Sequence, residues 1–280
     1  MFDKVRQVGP LSSPPVEHGP APRADQDPRS GRRPLGAGHI DAVLAARVRP
    51  TSARRDQFLP VLTPLAPLLP GGHLARGAVV AVAPGGGGAG AGGGTSLAFA
   101  LLAAASNGSW CGAVGTADPG VVALTELGVD LRHLVLVPRP GGQWAQVTAT
   151  LLDGLDVVLL RPPGVVGPGV ARRLAARARD AGTALVVLGP ARAWPEGADL
   201  RVTVRHGRWE GIGTGHGHLR CRRVEVEATG RRAAARTVVA DLWLPGPSGG
   251  VGAVAGAGAI GARDDARDDA RDDAIEQCGE

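Results

Sequence analysis

Ala78-Val-Val-Ala-Val-Ala83 runs through Pro84–Gly94 into Thr95-Ser-Leu-Ala-Phe-Ala-Leu-Leu-Ala-Ala-Ala-Ser106. The first stretch is a short apolar run rich in β-branched residues, and the last is an Ala- and Leu-rich stretch of helical length. Between them lie eight glycines in eleven residues. Glycine lets backbone N–H groups turn inward at the start of a helix, which is how a chain cradles phosphate. The order strand, glycine loop, helix favours that reading over a plain flexible linker.

Against the pattern G-x-x-x-x-G-K-[ST], the best register is Gly88…Gly93-Gly94-Thr95. Gly88, Gly93, Gly94, Thr95 and Ser96 are the expected loop residues, in a relic form whose lysine position is Gly94. Lys4 is the only lysine, and no arginine occurs between Arg76 and Arg132. The metal-holding acid is replaced as well. A phosphate-loop protein ends an apolar strand in Asp to hold Mg²⁺, whereas Leu155-Asp-Val-Val-Leu-Leu160 runs into Arg161-Pro-Pro163. Each lost charge-assisted contact costs about 1.5–3 kcal/mol, roughly 10- to 150-fold in affinity. The chain is therefore expected to be no enzyme and to need no cofactor, with residual ATP binding left open. Without Lys and Asp, the Thr95 and Ser96 hydroxyls also read as helix caps.

Working outward, apolar runs alternate with helical patterns. Strands are expected at Ala78–Ala83, Trp110–Gly115, Leu134–Val137, Val157–Leu160 and Ala184–Leu188. Helices are expected at Thr95–Ser106, Gly120–Leu127, Gln143–Asp153 and Pro168–Ala181. This is the pattern of a mainly parallel α/β sheet with helices on both faces. Ile40–Val48 and Phe58–Leu69 read as short helical or irregular segments. After Pro195 the period becomes two: Leu200–Arg205, Leu219–Ala228 and Thr237–Leu244 read as antiparallel strands added to one edge. Val224, Val226 and Ala228 face one way there, and Glu225 and Glu227 the other.

Arg220, Arg222, Arg223, Arg231 and Arg232 cluster around this expected hairpin, with Arg236 nearby, and are the candidates for DNA contact. They lack interleaved aromatics, so such binding would be non-specific and salt-sensitive. Arg172, Arg173, Arg177 and Arg179 read as a solvated helix face. His206, His216 and His218 read as turn histidines before metal ligands, and Trp209 and Trp243 as core or interface anchors.

Charge and composition bound the rest. Net charge is +5, but residues 263–280 carry three Arg against six Asp and two Glu, so the remainder carries +10. A basic body with an acidic tail suits a DNA-associated protein, or a tail that screens the body from polyanions. With one lysine among 31 basic residues, arginine abundance reflects a GC-rich coding bias and argues little for nucleic acid. Residues 1–36 read as a disordered arm, 37–245 as the folded domain, and 246–280 as a Gly/Ala linker leading into an Arg-Asp-Asp-Ala repeat. Three scattered cysteines suggest neither disulfides nor zinc. No apolar run approaches the roughly 20 residues of a membrane span, and a cytoplasmic location is expected.

Two segments carry a resemblance. Leu68-Leu-Pro-Gly-Gly-His-Leu-Ala-Arg-Gly-Ala-Val-Val-Ala-Val82 resembles the lead-in to the first core strand of RecA-like proteins. Leu127-Gly-Val-Asp-Leu-Arg-His-Leu-Val-Leu-Val-Pro138 resembles their link from second helix to third strand. Leu155–Leu160 falls where those proteins carry Walker B. The degenerate loop, Leu160-Arg-Pro-Pro-Gly164, Gly207-Arg-Trp-Glu-Gly-Ile-Gly213 and Arg222-Arg-Val-Glu-Val-Glu227 look like the actinobacterial ImuA-type proteins. The resemblance implies a RecA-like core acting in damage-induced mutagenesis. Its implied partners are a Y-family polymerase homologue and an error-prone replicative-type polymerase. A divergent P-loop ATPase, a SulA-like cell-division regulator and a DNA-binding module are the alternatives. RecA proteins have a catalytic glutamate after the second core strand; here Gly115-Thr-Ala-Asp118 offers only Asp118, which reads as a helix cap.

Overall fold

The computed structural model describes residues 57–84, 92–212, 217–231 and 236–254. The N-terminal arm, Ile40–Val48, Gly88, His216, Arg232 and the acidic repeat lie outside them.

Among the described residues, nine strands form one mixed sheet. Six run parallel: β3 (Val79–Ala83), β4 (Cys111–Val114), β5 (Leu134–Val137), β6 (Val157–Leu160), β7 (Ala184–Leu188) and β8 (Leu200–Ile212). Then β9 (Gly217–Gly230), β10 (Val238–Trp243) and β11 (Gly252–Ala253) add antiparallel, giving the order β11-β10-β9-β8-β3-β7-β6-β4-β5. A separate pair, β1 (Phe58–Leu59) with β2 (Leu74–Ala75), flanks a 3₁₀ segment at Thr63–Leu68.

Burial on both faces explains why the parallel strands read as continuous apolar runs. In β6, Val157 and Leu159 enter one core cluster, while Val158 and Leu160 enter the other. Helices α1 (Gly94–Ser106) and α2 (Val121–Glu126) cover the first face; α3 (Trp144–Gly154) and α4 (Pro168–Ala181) cover the second. Helix α1 is buried almost all round, from Leu97 to Ala103. Helix α4 is amphipathic: Ala171, Leu174, Ala175 and Ala178 face inward at helical spacing. Arg172, Arg173, Arg177 and Arg179 are exposed, and Arg177 pairs with Asp153. Pro168 opens this helix, and Gly182, at φ 67°, closes it in the left-handed conformation.

The sheet takes in β11, past Pro245, because Gly252–Ala253 finds a ladder partner on β10. Two expectations are corrected. Strand β8 runs parallel to β3, where an antiparallel strand is expected, and it extends seven residues beyond Arg205, because it keeps pairing with β9 past the end of the β9–β10 ladder. Asp118 is no helix cap: α2 starts at Val121 behind Gly120, and the exposed Asp118 carboxylate instead pairs with Arg139 at 3.1 Å.

Burial, with Asp156 nearby, pushes the Cys111 thiol from its ordinary 9.0 up to about 12. An unfolded chain loses this proton near pH 9 while the folded chain keeps it. Stability from this group is therefore complete below pH 9 and is lost as pH rises towards 12, at about 1.4 kcal/mol per pH unit. With no tyrosine and Lys4 alone, few other groups titrate there. Urea midpoints are expected to fall from pH 9 to 11, and Cys111→Ala to flatten that fall. An unchanged slope in the variant would assign it elsewhere.

Candidate functional site

Five parallel strands end on one cleft of about 680 Å³. The residue immediately after each strand lines it: Pro84 after β3, Gly115 after β4, Pro138 after β5, Arg161 after β6 and Gly189 after β7. Ligands of open α/β sheets sit at this end of the strands, where consecutive strands diverge in the sheet. Strand β3 supplies that divergence, since α1 carries the chain from β3 past β7 and β6 to β4.

Thirteen of the twenty lining residues are Pro or Gly, so recognition falls to a few longer side chains. Trp144, at the start of α3, and Arg192, in the turn Ala191–Ala193, join Arg161 on the wall. No lining residue is acidic. Arg161 and Arg192 are exposed, and neither makes an ion pair among the described residues. The cleft is a ligand-sized cavity of one sign of charge.

Gly92, Gly93, Gly94 and Thr95 lie at the cleft, at the start of α1. Ser96 is half-buried within the first turn. Thr95 and Ser96 do not cap: the cap position is Gly93, at φ 100°, and Leu97 N–H donates to its carbonyl at 2.8 Å. Gly94 is enclosed. A Cβ there would stand 3.2 Å from both the backbone nitrogen and Cα of Pro84. At Gly115, φ is 76° and a Cβ would stand 2.2 Å from the Arg161 carbonyl oxygen, so no side chain fits between β4 and β6.

The loop is held from an unexpected side. Arg222 on β9 is buried, and its guanidinium donates to the Gly92 carbonyl at 2.7 Å. The same group packs against Gly93 and stands 5.7 Å from the Trp209 ring centroid. Burial lowers its pKa. Arg222, a candidate for DNA contact, is thus buried against the loop: the β alternation puts it in phase with the core residue Val224. The other candidate arginines do not share its place. Arg220 is exposed, Arg223 points to the opposite face and pairs with Asp241 at 2.8 Å, and Arg231 lies past the far end of β9, over Gly197. Among the described residues, no three His, Cys, Asp or Glu side chains gather as a metal site.

Trp144 and Arg192 were not singled out in the sequence, although each lies just after a parallel-strand unit, where such sheets place ligand contacts.

Fold and cleft together define a mixed α/β protein with a cavity at the carboxyl ends of its parallel strands. Within that class, residues 67–196 match the family model of the MT3502 N-terminal domain. The chain is also 35% identical over 143 residues to the uncharacterized protein Rv3395c of Mycobacterium tuberculosis, over 51% of this chain and 62% of that relative. The match thus spans less than two thirds of the relative. The family-model match contains every cleft-lining residue, while β8–β11 lie beyond it.

Proposed function

We propose that this chain is a non-catalytic RecA-like protein that serves as an adaptor in DNA-damage-induced mutagenesis. Its proposed partners are a Y-family polymerase homologue and an error-prone replicative-type polymerase. The strand that precedes the glycine loop lies inside a parallel sheet, and the antiparallel strands add beyond β8, which supports a RecA-like core. The observation that carries the non-catalytic reading is the cleft itself. In the register read from the sequence, a lysine and an acid are replaced by Gly94, where a Cβ would press on the Pro84 backbone, and by Arg161.

Restoring the lysine is therefore not expected to restore activity. Gly94→Lys should show no Mg²⁺-dependent ATP hydrolysis above the wild-type background, and should melt at lower temperature because Pro84 must give way. Hydrolysis gained by this variant would instead favour a divergent ATPase.

The adaptor role is tested by affinity capture of the tagged chain from damaged and undamaged host cells, beside mutation frequency in a deletion strain. Recovery of the Y-family homologue only after damage, with loss of induced mutation on deletion, is the expected result. Recovery of division proteins with damage-dependent filamentation would replace this reading with the SulA-like one.

A further inference from the structure

The geometry points to a metal-independent binding site in the cleft for a phosphate-bearing small molecule, with Arg161 and Arg192 as its charge-balancing ligands. The inference rests on the non-catalytic reading of this cleft and reverses the metal dependence that a phosphate-loop ATPase would show.

Three observations converge on it. The cavity, about 680 Å³, has the volume of a small-molecule site. Its wall carries two exposed arginines without ion pairs among the described residues and no carboxylate. Several exposed arginines elsewhere are neutralised, among them Arg139 by Asp118, Arg172 by Glu196 and Arg177 by Asp153, while Arg173 and Arg208 make no ion pair among the described residues; what distinguishes Arg161 and Arg192 is that they share one cavity wall. Two guanidinium groups left unpaired on one concave wall favour an anion, and the planar fork of arginine matches phosphate oxygens.

The position of Arg161 decides the metal question. It is the first residue after β6, against the carboxyl end of β4, where its backbone N–H donates to the Val114 carbonyl at 2.8 Å. A divalent cation entering this wall would meet two positive charges and no acid to hold it. A ligand whose phosphate charge is already balanced by Mg²⁺ would gain less from Arg161 and Arg192 than the free anion does. Pro and Gly walls are short and preformed, so binding orders few side chains. Trp144 adds a flat apolar surface on the same wall.

Titration calorimetry of the full chain with ATP and with inorganic pyrophosphate, each in EDTA and in Mg²⁺, tests the proposal. Binding is expected in EDTA and should weaken when Mg²⁺ is added. Arg161→Gln and Arg192→Gln should each weaken it roughly 10- to 150-fold, the loss of one charge-assisted contact. Both residues are exposed, so the melting temperatures should stay near wild type and separate lost binding from lost folding. Trp144→Ala should weaken ATP more than pyrophosphate. Absence of binding by both probes in EDTA, a requirement for Mg²⁺, or binding that survives Arg161→Gln/Arg192→Gln would each overturn the proposal. Such a failure would leave capture of the polymerase homologue and the mutation phenotype unaffected, so it is distinguishable from failure of the adaptor reading.

Discussion

Replacing Asp156 with alanine is expected to cost about 3–5 kcal/mol, the range for removing one partner of a buried ion pair. The carboxylate enters β6 from below and joins three elements. One oxygen accepts from the Arg76 guanidinium at 2.8 Å, and the other accepts from the Trp110 backbone N–H at 3.1 Å. Its own backbone binds Trp110 again and adds Ala184: Asp156 N–H donates to the Trp110 carbonyl, and its carbonyl accepts from Ala184 N–H. The side chains are 14% and 10% exposed for Arg76 and Asp156, so water offers little compensation when the acid is removed. A loss of this size is a large share of a typical stability of about 5–15 kcal/mol.

The discriminating variant is the double replacement. Arg76→Met/Asp156→Leu removes both charges and fills their space with apolar atoms, and should recover part of the loss. Urea unfolding of the four proteins yields the coupling energy directly. If Asp156→Ala cost less than about 1 kcal/mol, the pair would behave as a solvated surface bridge. In that case the Trp110 and Ala184 backbone contacts alone would position β6.

What the sequence could disclose follows from the range of the forces involved. Parallel strands buried on both faces announce themselves as apolar runs, and β5, β6, α4 and β7 have the bounds their patterns suggest. The extra length of β8 is hidden, because Arg205–Glu210 is exposed but for the half-buried Gly207 and makes a ladder with β9, and no apolar alternation marks it. At the cleft, Gly94 and Arg161 could be read as departures from a motif with a fixed spacing. The convergence of Trp144 and Arg192 with Arg161 could not, because it depends on strand order, which local periodicity does not encode. Arg222 is the instructive intermediate. Its burial is implicit in the alternation with Val224 and Val226, whereas its nearness in sequence to exposed arginines carries no information about that phase.

That phase makes Arg222 the second position with a large expected effect. Arg222→Met preserves the unbranched stem and removes the charge, the hydrogen bond to Gly92 and the contact with Trp209. The charge-assisted bond is worth about 1.5–3 kcal/mol, and the cation–aromatic contact, whose Trp209 partner is exposed, adds about 0.5–1 kcal/mol. A total of roughly 2 kcal/mol is expected after the methionine regains part of the packing. The Arg222 backbone should remain in place, since its N–H donates to the Pro245 carbonyl at 2.9 Å and its carbonyl accepts from Leu244 N–H at 2.7 Å. The cost should therefore fall on the glycine loop more than on β9. Hydrogen exchange provides the readout: amides of the first turn of α1 should lose protection, while those of β9 and β10 keep theirs. Trp209→Leu in the same background separates the aromatic contribution, with an expected coupling of about 1 kcal/mol to Arg222. Equal loss of protection across β9, β10 and α1 would mean that Arg222 supports the whole antiparallel edge, and that the loop takes its shape from its own glycines.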